Sequence, residues 1–147
     1  MAQIVCPECG AVNRIPEDRD PGAAKCGRCG DRLFHGKAVE VTAEELAAHR
    51  RSTTGTAVLL DVWAPWCGPC RAMAPHFNAA AAQLEPNVRL LKLNSDEHPA
   101  AAAELGVSGI PALFLFQDGR IVARQAGAMT APQLVSWVKQ ALAQTAA

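Results

Sequence analysis

Charge of one sign is missing from this 147-residue sequence, in which 14 basic residues balance 14 acidic ones and the formal net charge is zero. No global field holds the phosphates of a nucleic acid, no local basic patch stands out, and nucleic acid is not expected as a partner. Long apolar runs are missing too. None approaches the roughly 18 to 20 residues that a membrane span needs, so no membrane association is expected. The opening MAQIVCPECG has neither the basic nor the apolar region of a secretory signal, which makes the cytoplasm the expected compartment. Charged residues are scarce, at 19% against 50% hydrophobic, which suits a packed core and excludes a disordered chain. The length excludes a large multidomain enzyme. It leaves room for one ordinary domain with a few dozen residues to spare.

What is there is cysteine. All six fall into three Cys-x-x-Cys pairs, Cys6/Cys9, Cys26/Cys29 and Cys67/Cys70. Without an export signal such pairs are better explained as metal ligands or redox catalysts than as structural bridges. Residues 1–36 carry the first two pairs, several glycines and prolines, and the charged stretch Arg14 to Asp20, with too few large apolar side chains for a core. Something else must hold this segment together. Two Cys-x2-Cys pairs separated by sixteen residues fit a four-cysteine zinc ribbon. Gly10 and Gly30 can supply the positive φ that each turn needs. Two disulfides or four free thiols are the alternative reading. Four sulfurs from Cys6, Cys9, Cys26 and Cys29 would complete the shell of one Zn²⁺ per chain and leave no open position, so that metal is expected to be structural. His35 is then an exposed linker residue.

From Lys37 to Ala147 the pattern changes to alternating strands and helices. Ala38 to Val41 reads as a strand, and Thr42 with Glu45 as a capping box opening a helix to about Arg51. Ala57 to Trp63 is a near-continuous apolar run, the mark of a strand buried on both faces. It delivers the chain to Trp66-Cys67-Gly68-Pro69-Cys70, a strand-to-helix turn. A helix with Pro75 inside it is expected from Cys70 to Leu84, a strand from Val88 to Asn94 and an Ala-rich helix from Asp96 to Leu105. Ala112 to Phe116 and Arg120 to Ala126 form a hairpin about Asp118-Gly119. Thr130 caps a last helix to about Ala143, with Leu134, Val135, Val138 and Leu142 in one stripe. Trp63 reads as core, and His49, His76 and His98 as surface.

A cysteine pair at the start of a helix next to a buried strand suits thiol–disulfide exchange. The unpaired N–H groups and the positive dipole end of the helix favour the thiolate of Cys67, while Cys70, one turn on, lies inside where it can resolve a mixed disulfide. Gly68 and Pro69 keep the loop tight.

The stretch VWAPWCGPCRAMAP, Val62 to Pro75, resembles the thioredoxin family almost letter for letter. Asp61, Lys92 in LLKLN, Val107-Ser108-Gly109-Ile110-Pro111, Gln117-Asp118-Gly119 and Gly127 extend the likeness over about residues 37–145. The added four-cysteine segment is similar to the zinc-containing bacterial thioredoxins of the thioredoxin 2 type. Pro65 departs from the charged residue common in the family. The resemblance implies an α/β thioredoxin fold, a central mixed sheet of about five strands flanked by helices, behind a small N-terminal zinc ribbon. It implies Cys67 as nucleophile, Cys70 as resolving thiol, Asp61 as buried acid–base group and Pro111 as a cis-proline. Trp66, Gly68, Pro69, Gly109, Ile110 and Gly127 would form the substrate groove, with Lys92 in support. Asp61 has a second reading, a mere pairing with Lys92. The implied activity is reduction of protein disulfides, with no organic cofactor bound and NADPH used indirectly through thioredoxin reductase. The expected partners are that reductase and oxidised proteins, and a monomer is expected. A binding module, in which the ribbon recruits a protein partner and the fold acts as a holdase or subunit, and an oxidase or isomerase are the alternatives. The combination of Cys67, Cys70, Asp61 and Pro111 favours an enzyme over a scaffold, and Gly-Pro between the cysteines favours the reducing end of the family.

Overall fold

The computed structural model describes residues 1–146. Strands β1 (Ala2–Val5) and β2 (Val12–Ile15) pair antiparallel around the first cysteine turn, and a 3-10 turn, Pro21–Ala23, leads to the second, closed by a bridge from Lys25 to Arg32. This segment, expected to hold too few large apolar side chains for a core, does gather a small one. Ile4, Ile15, Leu33 and Phe34 bury together around Cys6 and Cys26. Four large side chains make a small core for a segment of this length.

The rest of the chain alternates β3 (Val39–Val41), α1 (Ala43–Ser52), β4 (Ala57–Trp63), α2 (Gly68–Leu84), β5 (Val88–Asn94), α3 (Pro99–Glu104), β6 (Ala112–Gln117), β7 (Arg120–Ala126) and α4 (Ala131–Ala146). One five-stranded mixed sheet runs in the order β3-β5-β4-β6-β7, the first three strands parallel and the last two antiparallel to their neighbours. Its central strand β4 is apolar at every position but Asp61 because both faces are covered. Leu59, Leu90, Leu113 and Leu115 point to α2 and α4, where they meet Met73, Phe77, Leu134 and Val138. Leu60, Val62, Leu91 and Phe114 point to the other side, toward Leu46 of α1 and Ala102 of α3.

Local signals explain most boundaries. Thr42 and Glu45 close a reciprocal capping box on α1, and Thr130 and Gln133 form the same pair of bonds at the start of α4. Asp118 and Gly119 take φ of 52° and 82°, the left-handed pair that a tight hairpin requires. Helix α2 begins at Gly68 because Cys67 serves as its N-cap, with Pro69 in the first turn where no N–H is needed. Helix α3 starts later than expected, at Pro99, because the Asn94 side chain takes the Asp96 N–H and folds the preceding residues into a turn. Helix α4 extends past the expected end, to Ala146.

The cysteine-rich segment docks at the N-terminal ends of β4 and β5. Gln3 and Thr54 exchange two backbone hydrogen bonds of 2.8 and 3.0 Å, and the Gln3 amide donates to the Ser52 carbonyl. Arg89 of β5, 1% exposed, donates to the carbonyls of Leu33 at 2.6 Å and Val5 at 3.4 Å and stacks on Phe34 at 4.2 Å. Glu85 lies 3.7 Å from the guanidinium and accepts the Gly36 N–H at 2.7 Å. His49 is not on the surface. One turn from Leu46 on α1, it shares the buried face and is 3% exposed. Burial, then the Arg89 charge, lower its pKa to about 4, so the ring is neutral at neutral pH. His35 and His76 are exposed as expected, whereas His98 is half-buried at the N-cap of α3.

Candidate functional site

Strand β4 ends at Trp63, and four residues later Cys67 opens α2. The Cys67 and Cys70 sulfurs are joined in a disulfide with their Cα atoms 5.2 Å apart, and the Cys70 N–H points at Cys67 Sγ from 3.2 Å. That N–H is one of the orphan donors of the first helical turn, a ready partner for a thiolate at this position. Both sulfurs are buried, and Cys67 is the one that reaches a groove of about 640 Å³. Trp66, Gly68, Pro69, Gly109 and Ile110 line that groove. Trp66 is 67% exposed and its indole N–H is held by Asp96 at 3.2 Å. The Ile110–Pro111 peptide is cis, and the Ile110 carbonyl lies 3.8 Å from Cys67 Sγ. Gly127 is not in the groove wall. Its N–H donates to the Pro111 carbonyl at 2.9 Å with φ of 99°, which ties the end of β7 to the cis bond.

Sequence reasoning missed the far wall, made by Ser95 and by Pro99, Ala102 and Ala103 of α3. Small and unreactive side chains carry no signal of such a role. The wall follows only from where α3 packs.

Asp61 is fully buried on β4, and neither carboxylate oxygen meets a hydrogen-bond donor among the described residues. Burial raises its pKa to about 7, with the Lys92 charge lowering it and Glu40 raising it. Lys92 is its register partner on β5, yet no ion pair joins them within 4.0 Å among the described residues. The ammonium stands instead 4.6 Å over the Trp63 ring. Trp63 is half-buried and packs on the cluster of Ala64, Cys67 and Cys70.

The other four cysteines converge at the opposite end of β4, about 20 Å of strand away at 3.3 Å per residue. Their sulfurs all lie within 4.8 Å of one another. Each approaches a sulfur of the other pair, Cys6 to Cys29 at 3.7 Å and Cys9 to Cys26 at 3.6 Å. Metal–sulfur bonds of about 2.3 Å in a tetrahedron demand sulfur–sulfur edges of about 3.8 Å, so the donor set fits a four-coordinate soft cation. Gly10 and Gly30 take φ of 78° and 80°, and each donates its N–H to the first cysteine of its pair. The Cys29 N–H, the Asn13 amide and the Arg28 N–H pull Cys26 down to about 6. At Cys29 the Asp31 N–H works in the same direction, but desolvation and the three neighbouring sulfurs prevail and push it up to about 12. A divalent ion would offset the negative charge of four thiolates gathered this closely.

A dithiol that closes within one turn at a helix N-terminus, beside an apolar groove, defines a thiol–disulfide oxidoreductase site. Residues 37–140 match the family model described as Thioredoxin, and residues 5–31 the model described as Thioredoxin 2, N-terminal. Thioredoxin C-3 of Corynebacterium nephridii is 38% identical over 141 residues, 96% of each chain. The thioredoxin of Haemophilus influenzae is 42% identical over 83 residues, 56% of this chain and 78% of that one. Among solved structures, a mutant thioredoxin from Halobacterium salinarum NRC-1 superposes with a TM-score of 0.65 at 29% identity, covering 73% of this chain and 92% of that one. The chain belongs to the thioredoxin family. It is a protein-disulfide oxidoreductase with a thioredoxin fold and a four-cysteine ribbon at the N-terminus. No helix among the described residues is long and apolar enough to cross a membrane.

Proposed function

We propose that the Cys67 thiolate attacks one sulfur of a substrate disulfide, forming a mixed disulfide while the other substrate sulfur leaves as a thiolate and takes a proton. The Cys70 thiol then gives its proton to the Asp61 carboxylate and attacks Cys67 Sγ. A Cys67–Cys70 disulfide forms, the second substrate thiol is released, and two electrons have passed to the substrate. Trp66, Gly68, Pro69, Gly109, Ile110 and Pro111 hold the substrate chain, Gly127 braces Pro111, and Lys92 supports Asp61. The observation that carries this reading is the Cys67–Cys70 pair at the helix N-terminus, with Cys67 facing the groove. Lowering a thiol from about 8.5 to about 7, the value for which thioredoxin itself is the standing example, raises the thiolate fraction at pH 7 roughly fifteenfold. A Brønsted slope of about 0.4–0.5 returns roughly fivefold of that, leaving a gain of about threefold. Docking in the groove, which aligns the three sulfurs, supplies most of the rate.

A thioredoxin reductase using NADPH returns Cys67 and Cys70 to the dithiol, in the cytoplasm, and the protein works as a monomer. The ribbon is a separate unit, residues 1–36, from the catalytic unit, 37–147. Cys6, Cys9, Cys26 and Cys29 hold one Zn²⁺, which cross-links two turns and has no open position for substrate. The test is insulin reduction with NADPH and a bacterial thioredoxin reductase, with metal content measured on the same sample. Turnover that vanishes in Cys67→Ser, with about one zinc per chain retained, supports the reading. Turnover that survives in Cys67→Ser overturns it.

A further inference from the structure

Glu40, Lys92 and Asp61 form one row across three adjacent strands, since both Glu40 on β3 and Asp61 on β4 stand in register with Lys92 on β5. The row lies on the α2 side of the sheet, one pleat beyond Leu59 and Leu90 of the core. Two carboxylates thus flank one ammonium. Neither makes an ion pair with it within 4.0 Å among the described residues. Trp63 engages two members of the row, Glu40 and Lys92. Its indole N–H is shared between the two oxygens of Glu40 at 3.1 and 3.2 Å, its ring covers the Lys92 ammonium at 4.6 Å, and the same side chain packs on the cluster of Ala64, Cys67 and Cys70. Among the described residues Glu40 is the only hydrogen-bond partner of that indole N–H.

We propose that Glu40 is a positioning residue of the redox site: by holding the Trp63 indole it seats the ring against the cysteine pair and over Lys92, and so sets how much of the Lys92 charge reaches Asp61. The inference rests on the reading of Asp61 as the proton acceptor. The charged neighbours are few. Asp61 faces Lys92 on β5 and Glu40 one strand further, Leu113 on β6, and the cysteines of α2 through Trp63. Glu40 faces Lys92 and Trp63, with Glu97 and His98 near the start of α3. A ring freed from Glu40 no longer holds the Lys92 ammonium on its face and leaves it free to approach its register partner Asp61, and the loss of the Glu40 charge removes a repulsion. Both changes favour the ionised form of Asp61, so their effects add rather than cancel.

The experiment titrates the Asp61 carboxyl carbon by NMR in the reduced protein and follows the Trp63 indole N–H resonance. Three variants are compared with wild type: Glu40→Gln, Glu40→Ala and Asp61→Asn. Glu40→Gln keeps an acceptor for the indole and loses the charge, and the ionisation constant of Asp61 should rise about twofold, the size expected of one charge acting through partly screened solvent. Glu40→Ala loses both, and should add a shifted, broadened indole resonance and a larger rise. The pH step in insulin reduction should move to lower pH with the carboxyl titration. An indole resonance and an Asp61 titration both unchanged in Glu40→Ala would overturn the inference. If Asp61→Asn leaves the pH step of reduction intact, the reading of Asp61 itself fails, and the indole resonance alone then decides whether Glu40 places the ring.

Discussion

The three Cys-x-x-Cys pairs share a spacing, and the two in the ribbon differ from the third in what surrounds it. In the ribbon a glycine at positive φ follows the second cysteine, the chain doubles back, and each sulfur finds its nearest sulfur in the other pair. At Cys67 and Cys70 the intervening residues are Gly-Pro, the following residue is Arg71 inside a helix, and the pair closes on itself. Two turns that face each other make a closed shell for a cation. One turn at a helix N-terminus makes a bond that opens and closes. The lesson is that the residues between and just after the cysteines select the chemistry, while the spacing only makes it possible.

The ribbon is further distinguished by its dependence on the rest of the chain, and Arg89 is where that dependence concentrates. Arg89→Met leaves Glu85 buried without its cation and should cost about 3–5 kcal/mol. Chemical denaturation measures it, and a Glu85→Gln/Arg89→Met double variant should recover much of the loss. A cost near zero would make the ribbon a freely hung appendage. The redox pair, by contrast, has a buried acid nearby with no cation within 4.0 Å among the described residues. Asp61 ionises at about 7 in the folded protein and near 3.9 when unfolded. Between those values the native state holds a proton that the unfolded state has lost, so stability falls as pH rises through the window. The full loss is about 4 kcal/mol, and it is reached above about pH 7. Asp61→Asn should flatten that slope and be the more stable protein at pH 8, as denaturation at pH 4 and pH 8 will reveal. The smallest effect tests the glycine rule. A Cβ at Gly30 meets nothing within 4 Å, so Gly30→Ala carries only the strain of φ at 80°. About 1–2 kcal/mol should appear as a metal affinity lower by up to about thirtyfold in competition with a chelating dye.

Strand β4 and the hairpin at Asp118-Gly119 were legible because their signals are local: an unbroken apolar run and a left-handed dipeptide. The cysteine sets were legible because the paired spacing marks them and the residues beside each pair, Gly10 and Gly30 in the ribbon and Gly68-Pro69 at the helix start, tell them apart. Arg89 was not, since within VRLLKLN it reads as one polar step of a strand, and its acceptors lie 56 and 84 positions away. His49 was hidden by polar neighbours in sequence, although its offset of three from Leu46 turns it inward. The apolar cluster of the ribbon escaped notice because its members are scattered from Ile4 to Phe34 and meet only once both knuckles have folded. The groove wall on α3 escaped for a different reason, because alanines that pack and alanines that line a groove look the same.

The division of labour between the cysteine sets is tested most directly by a Cys70→Ser variant, reduced, loaded with zinc and mixed with a disulfide-bonded protein. Peptide mass mapping of the trapped adduct, with metal analysis of the same sample, reads both halves at once. A mixed disulfide on Cys67 alone is expected, with zinc still bound at about one per chain. An adduct on Cys6, Cys9, Cys26 or Cys29, or loss of the metal as the adduct forms, would contradict it.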